Sequence, residues 1–237
     1  LNQEIKCAQA AGLSVLYCIG EKSEEQADWE NVLGAQLDIG LDGVDKSRVV
    51  IAYEPIWSIG PGKTPADKPY ITKIARFVKE RTGGLDVVVA IGHSGADYET
   101  SMEAIQRGAR CVTHTFNAMR LFHQHQPAIM GAALESDCWC EAICDGRHLH
   151  PGTVRMLLKC KGWDKVIAIT DSIMAAGLPD GNYKLGVNDV VVKDGDAVLA
   201  SNGVRAGSTL TLAQALRNIV KFTDHPVQDV IPLMTIN

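Results

Sequence analysis

The sequence predicts an α/β protein whose parallel strands are arranged toward a barrel, and three observations carry that reading. Short apolar, β-branched runs alternate with amphipathic stretches, the pattern of repeated βαβ units. The runs are near-continuously apolar, as strands covered on both faces are. Polar, chemistry-bearing residues collect where the runs end: Glu21, Glu54, His93, His114 to Asn117, Asp145 and Asp171. In a barrel, that rim is where an active site is assembled.

In chain order, the strand-like runs are "LSVLYCIG" at 13–20, "RVVIAYE" at 48–54, "LDVVVAIGH" at 85–93, "RCVTHTFN" at 110–117, "CEAICDG" at 140–146 and "KVIAITD" at 165–171. Helical patterns lie between them. "ITKIARFVKERTGG" stops at a glycine pair, and "ETSMEAIQRGA" leads into the fourth run. Past Asp171 the texture changes. Turn dipeptides at Asp180-Gly181, Asp194-Gly195 and Asn202-Gly203 separate β-rich runs, predicting antiparallel hairpins near 180–205. A helix follows in "STLTLAQALRNIVKF", with Ser208 as its expected N-cap. Six barrel-type strands are two short of eight. The expectation is therefore a (β/α) TIM-type barrel that is incomplete, spans 1–237 as one domain and carries a β-hairpin insertion. Its open edge would need a partner or the hairpins to cover it.

Composition narrows the function. The 237 residues are 46% hydrophobic and 22% charged, ordinary for a globular protein. A net charge of -5 and the lack of any basic block predict neither nucleic-acid nor membrane binding. Seven cysteines, several within apolar runs, suit reduced thiols in the cytoplasm better than a disulfide framework. Cys138-Trp139-Cys140 lacks the two-residue spacer of zinc and redox pairs and reads as core. No signal peptide or apolar run of membrane length is visible. The chain begins with Leu1 rather than Met, as a piece of a longer sequence would.

Two histidines on neighbouring strand ends, His93 and His114, could converge on one divalent metal at about 2.0–2.1 Å. Around them run "GHSGADYETSMEAIQRGA", "VTHTFNAM", "GAALESD", "CDGRHLHP", "AITDSIMAAGLPDGNYKLG" and "AGSTLTLAQALRNIV". From about residue 85 onward these stretches closely resemble N-acetylglucosamine-6-phosphate deacetylase, of the amidohydrolase superfamily. The resemblance implies that His93 and His114 are ligands of a divalent metal (Zn or Fe). Asn117, Ala118 and His148 would bind an N-acetyl amino sugar phosphate, and Asp171 would act as general base and then general acid. The residue types suit that chemistry: a Lewis acid polarises the amide carbonyl, and a carboxylate moves the proton. Two departures stand out. The family's third ligand, a Glu in an "HLEGP"-like motif, has no counterpart. Its phosphate-gripping Arg falls where this chain reads "HQHQPAIMG", leaving His123, His125 or Arg120 as the available substitutes. Glu54, on the preceding strand, is the one candidate to replace the missing carboxylate.

The earlier part of the chain carries a different signature. "YEPIWSIGPGKTP" at 53–65 ends in Gly62-Lys63-Thr64, yet a P-loop would need a glycine where Trp57 stands. With "CIGE" at 18–21 and "KPYITKIARFVKE", it makes residues 1–88 resemble the later half of triosephosphate isomerase. That resemblance implies Glu54 as a proton-abstracting base and residues 55–64 as a closing lid. The isomerase's electrophile, cationic helper and phosphate loop have no counterparts in their places. The chain thus reads as a splice, 1–88 isomerase-like and 89–237 deacetylase-like, joined around residues 86–90. The first expectation is a deacetylase, with an aldose–ketose isomerase and a catalytically dead hybrid as alternatives. Two half-barrels from different families must share one strand register, and a mismatch would leave apolar edges exposed, which predicts self-association into homo-oligomers.

Overall fold

A computed structural model of the chain describes residues 1–58, 66–85, 89–186, 188–235 and 237, with the side chain of Lys68 excepted. Most of the expected lid, including Gly62-Lys63-Thr64, and part of the expected join lie outside the described residues. The fold consists of two compact units, Leu1–Val89 and Ala90–Asn237.

The first unit runs α1 (Asn2–Ala10), β1 (Val15–Ile19), α2 (Trp29–Leu41), β2 (Val49–Tyr53) and α3 (Lys68–Thr82). Strands β1 and β2 pair in parallel, with Val15 opposite Val49 and Ile19 opposite Tyr53. Alternation along a strand sends one set of side chains to each face. Tyr17, Ile19, Val49 and Ile51 therefore pack with Leu33, Leu37, Ile74 and Val78 into a core. The opposite face keeps Leu16 and Val50 exposed. Gln36 clips the end of β1 by bonding both the N–H and the carbonyl of Gly20, at 3.0 and 2.8 Å. Helix α3 starts where the Asp67 carboxylate accepts the Tyr70 N–H at 2.8 Å. It stops at Gly83, whose φ of 76° only glycine adopts without strain.

The second unit holds a four-stranded parallel sheet in the order β3 (Val89–Ile91), β4 (Ala109–Val112), β5 (Trp139–Ile143), β6 (Val166–Ile169). Helices α4 (Tyr98–Gln106), α5 (Ala128–Glu135) and α6 (Pro151–Lys161) separate the strands, as crossovers between parallel strands require. Val112, Cys140, Ala142, Val154, Leu157 and Val166 form part of the core between sheet and helices. All seven cysteines are free, and Cys138 and Cys140 are buried core residues, as expected. No described helix is long and apolar enough to cross a membrane.

The hairpin region is an antiparallel sheet of β7 (Gly181–Leu185), β8 (Asn188–Lys193) and β9 (Asp196–Leu199). Asp194-Gly195 is the expected turn between β8 and β9, with φ of 51° and 72°. Asp180-Gly181 is not a turn between strands. Gly181 opens β7, and the Asp180 carboxylate instead caps the Asp194-Gly195 turn by accepting both backbone N–H groups. Ser208 is likewise not a helix cap. Helix α7 (Leu212–Thr223) begins later, capped by the Thr211 hydroxyl, which accepts the Gln214 N–H at 3.2 Å. A short α8 (Val227–Val230) follows.

Candidate active site

The strands of the second unit end sooner than their apolar runs suggest, because the residues after them turn sharply. His93, His114, Phe116, Ala118 and Asp171 all have positive φ, at 47°, 30°, 78°, 51° and 49°. Such torsions cost a side-chain-bearing residue of order 1–3 kcal/mol and cluster at functional sites. Here they end β3, β4 and β6 and lift polar side chains onto one rim of the sheet.

Specific anchors hold these turns. Gly92 precedes His93 because Thr113 lies against it: a Cβ there would stand 2.2 Å from Thr113 Cγ2. The Thr113 hydroxyl donates to the Glu141 carboxylate of β5, which also accepts the His114 N–H at 3.3 Å. The loops after β3 and β4 are tied where the Arg120 N–H reaches the Ser94 carbonyl at 3.0 Å. After β6, Ser208 replaces a strand neighbour. Its N–H donates to the Asp171 carbonyl at 2.8 Å, its hydroxyl donates to the Thr170 carbonyl, and its own carbonyl accepts the Ile173 N–H at 2.9 Å.

The result brings two of the candidate residues, His93 and His114, into contact, within reach of the Asp171 charge. The His93 and His114 rings meet edge to face, with centroids 4.5 Å apart and planes at 86°. Desolvation, then the neighbouring His114 ring, hold the His93 imidazole below its ordinary pKa, while the Asp171 carboxylate pulls it back up. His114 is 8% exposed, and its Nδ1 is the one buried polar side-chain atom without a hydrogen-bond partner among the described residues. A buried nitrogen left bare beside a second imidazole suits a divalent cation. No cluster of three or more His, Cys, Asp or Glu suited to a metal is found among the described residues. The described residues thus bring together two imidazoles and no third donor.

Asn117 belongs to the turn after His114, where its amide Nδ2 donates to the carbonyls of His114 and Thr115, at 3.1 and 3.3 Å. That leaves its Oδ1 for a ligand. Ala118, next along, is exposed. His148 sits in the loop after β5, its Nδ1 2.6 Å from Asp145 Oδ2. The loop holding His123 and His125 is exposed; their rings lie 5.3 Å apart, and the Arg120 guanidinium is taken up by the Gln126 side chain.

Glu54 lies in the first unit, exposed, with its N–H bonded to the Ile19 carbonyl at 2.9 Å. Beside it, Glu21 is fully buried. It accepts from Trp57 Nε1 at 2.7 Å and from the hydroxyls of Tyr53 and Tyr70, each at 2.9 Å. Burial and then the Glu21 carboxylate push the Tyr70 hydroxyl up to about 12 and raise that of Tyr53 further. The strand-end pattern flagged Glu21 and Asp145. Glu141 and Thr113 drew no notice, since they lie inside a strand and beside a histidine, and Ser208 reads only as a helix cap.

Comparison with known proteins divides the chain in the same way as its motifs. A profile of the family described as Triosephosphate isomerase matches residues 1–97. The N-acetylglucosamine-6-phosphate deacetylase of Vibrio furnissii is 39% identical over 168 residues, which cover 67% of this chain and 41% of that protein. The deacetylase of Lysinibacillus sphaericus is 42% identical over 152 residues, covering 64% and 39%. The chain therefore spans about two fifths of the length of these relatives. The crystal structure of the Thermotoga maritima deacetylase superposes with a TM-score of 0.71 at 28% identity, over 86% of this chain and 63% of that one. A Mycobacterium smegmatis deacetylase mutant in complex with N-acetyl-D-glucosamine-6-phosphate gives 0.72 at 27%, over 93% and 64%. The fold is that of these TIM-type barrel enzymes, and the chain joins a segment similar to triosephosphate isomerase to one similar to N-acetylglucosamine-6-phosphate deacetylases.

Proposed function

We propose that the chain is a metal-dependent hydrolase that removes the acetyl group from an N-acetyl amino sugar phosphate such as N-acetylglucosamine 6-phosphate. The observation carrying this reading is the contact of the His93 and His114 rings, with His114 Nδ1 buried and unpartnered and the Asp171 charge felt at His93. A divalent metal, Zn or Fe, held by His93 and His114, would supply Lewis acidity that polarises the amide carbonyl and acidifies a water. Asp171 takes the proton as water adds to the carbonyl carbon. It then returns that proton to the amine as the C–N bond breaks, so acetate and the free amino sugar leave. Asn117 Oδ1, the Ala118 backbone and the His148 ring bind the sugar. The same reading places the protein in the cytoplasm as a self-associating barrel acting on a small molecule.

Acetate release from N-acetylglucosamine 6-phosphate tests this directly. Asp171→Asn lowers the rate by about 10²–10⁴-fold, the usual weight of a general acid–base group. Undiminished release in that variant refutes the role. Purified protein is expected to carry about one equivalent of metal that His93→Ala loses. Metal-free, folded and inactive protein would instead establish a dead hybrid. The isomerase alternative has the family match over residues 1–97 in its favour. It requires triose phosphate interconversion that Glu54→Gln abolishes.

A further inference from the structure

We infer that Asp145 is a positioning residue that fixes which nitrogen of His148 faces the ligand, and hence that this part of the rim recognises a hydroxyl group rather than a phosphate. The inference rests on the proposed sugar-binding role of the rim and adds the polarity of one contact within it.

Strand β5 lies between β4 and β6 in the sheet, so the loop after it emerges between the His114 and Asp171 ends. Asp145 opens that loop, and both of its oxygens are used. Oδ1 accepts the backbone N–H groups of Arg147 and His148, at 2.8 and 2.7 Å, which closes the turn. Oδ2 then faces His148 Nδ1 at 2.6 Å. The two side chains are 10% and 9% exposed, so water competes little for the bond. Burial raises the Asp145 pKa, but the His148 ring and the two backbone donors outweigh it and keep the carboxyl below its ordinary value. An ionised carboxylate has no proton to give, so the proton of the bond belongs to Nδ1.

In its neutral form a ring with its proton on Nδ1 keeps a bare Nε2, an acceptor. It takes an O–H or N–H donor, such as a sugar hydroxyl, and offers nothing to a phosphate oxygen. The hairpin sheet braces the loop: Arg205 grips Asp196 through two contacts of 2.8 Å and donates to the Arg147 carbonyl at 3.4 Å.

The test uses the full chain labelled with ¹⁵N-histidine and long-range ¹H–¹⁵N correlation spectra. The His148 signals are assigned by their loss in His148→Gln. In Asp145→Asn the amide oxygen still accepts the two backbone N–H groups, while its NH₂ group faces Nδ1 and drives the ring proton to Nε2. The expected result is a proton on Nδ1 in the wild type and on Nε2 in Asp145→Asn. An Nε2–H tautomer in the wild type overturns the inference even if the variant fails to fold, as does one unchanged tautomer in both. In acetate release, Asp145→Asn raises KM by about tenfold, the scale of one lost hydrogen bond, and leaves kcat nearly unchanged. A fall confined to kcat overturns the binding role. A wild type that releases no acetate refutes the hydrolase reading, while the tautomer still decides what Asp145 does.

Discussion

Replacing Gly92 by alanine should strain the site without substituting any candidate ligand. The new Cβ would stand 2.2 Å from Thr113 Cγ2 and 3.8 Å from His114 Cε1. Thr113 has little room to yield. Its β-branched side chain is stiff, and its hydroxyl is held by the Glu141 carboxylate. Relief comes either by distorting the β3 end, at the roughly 1–3 kcal/mol typical of overpacking, or by rotating Thr113 off a charge-assisted bond worth about 1.5–3 kcal/mol. Either route costs about 2 kcal/mol. Thr113→Ser removes the offending methyl and keeps the hydroxyl, at about 0.8 kcal/mol for the lost group. The double variant should therefore recover at least 1 kcal/mol relative to the sum of the singles, where independent sites agree within about 0.5 kcal/mol. Urea midpoints of the four proteins give the cycle, and metal content reports whether His93 and His114 have moved. A Gly92→Ala protein as stable as the wild type, or strictly additive costs, would refute the packing argument.

Three further outcomes follow from the same geometry. Glu21→Ala removes the acceptor shared by the half-buried Tyr53, Tyr70 and Trp57 and should cost about 1–3 kcal/mol by thermal or urea melting, with Glu21→Gln milder. Asp145 has a depressed pKa in the folded state, so its contribution is present above the ordinary carboxylate pKa and fades as pH falls through the folded value. Acid melts should therefore show Asp145→Asn losing stability relative to wild type at neutral pH and converging with it at low pH. Lys161, buried with its ammonium bonded to the Ala133 and Ser136 carbonyls at the end of α5, should cost about 1–3 kcal/mol when changed to Met, because those acceptors lose their partner. A neutral substitution there would mean that water takes its place.

Much of this architecture was legible in the residues. Apolar runs located the strands β1 to β6 seen among the described residues, and Asp67 and Gly83 punctuate α3 as cap rules require. The motifs around His93, His114 and Asp171 marked the rim. What stayed hidden depends on torsions and on distant partners. Nothing in "CVTHTFN" announces that β4 stops at Val112 because His114 and Phe116 turn left-handed. Ser208 sits where a cap is expected, yet it pairs with Asp171, 37 positions earlier, and Thr211 does the capping. Asp180-Gly181 has turn composition, but its carboxylate serves the turn at Asp194-Gly195. Glu141 looks like an ordinary strand residue until Thr113 is set opposite it. Period and propensity are local properties, whereas each of these assignments was settled by a partner far along the chain.

The ties that shape the rim, from Gly92 against Thr113 through Asp145 with His148 to Ser208 under Asp171, all fall inside the Ala90–Asn237 unit. A crossover placed upstream of that stretch would carry these ties along together as a single cassette. Shuffling in that region can thus graft a foreign leading half onto the cassette without disturbing the bonds that aim it, whereas a break between Gly92 and Ser208 would scatter them.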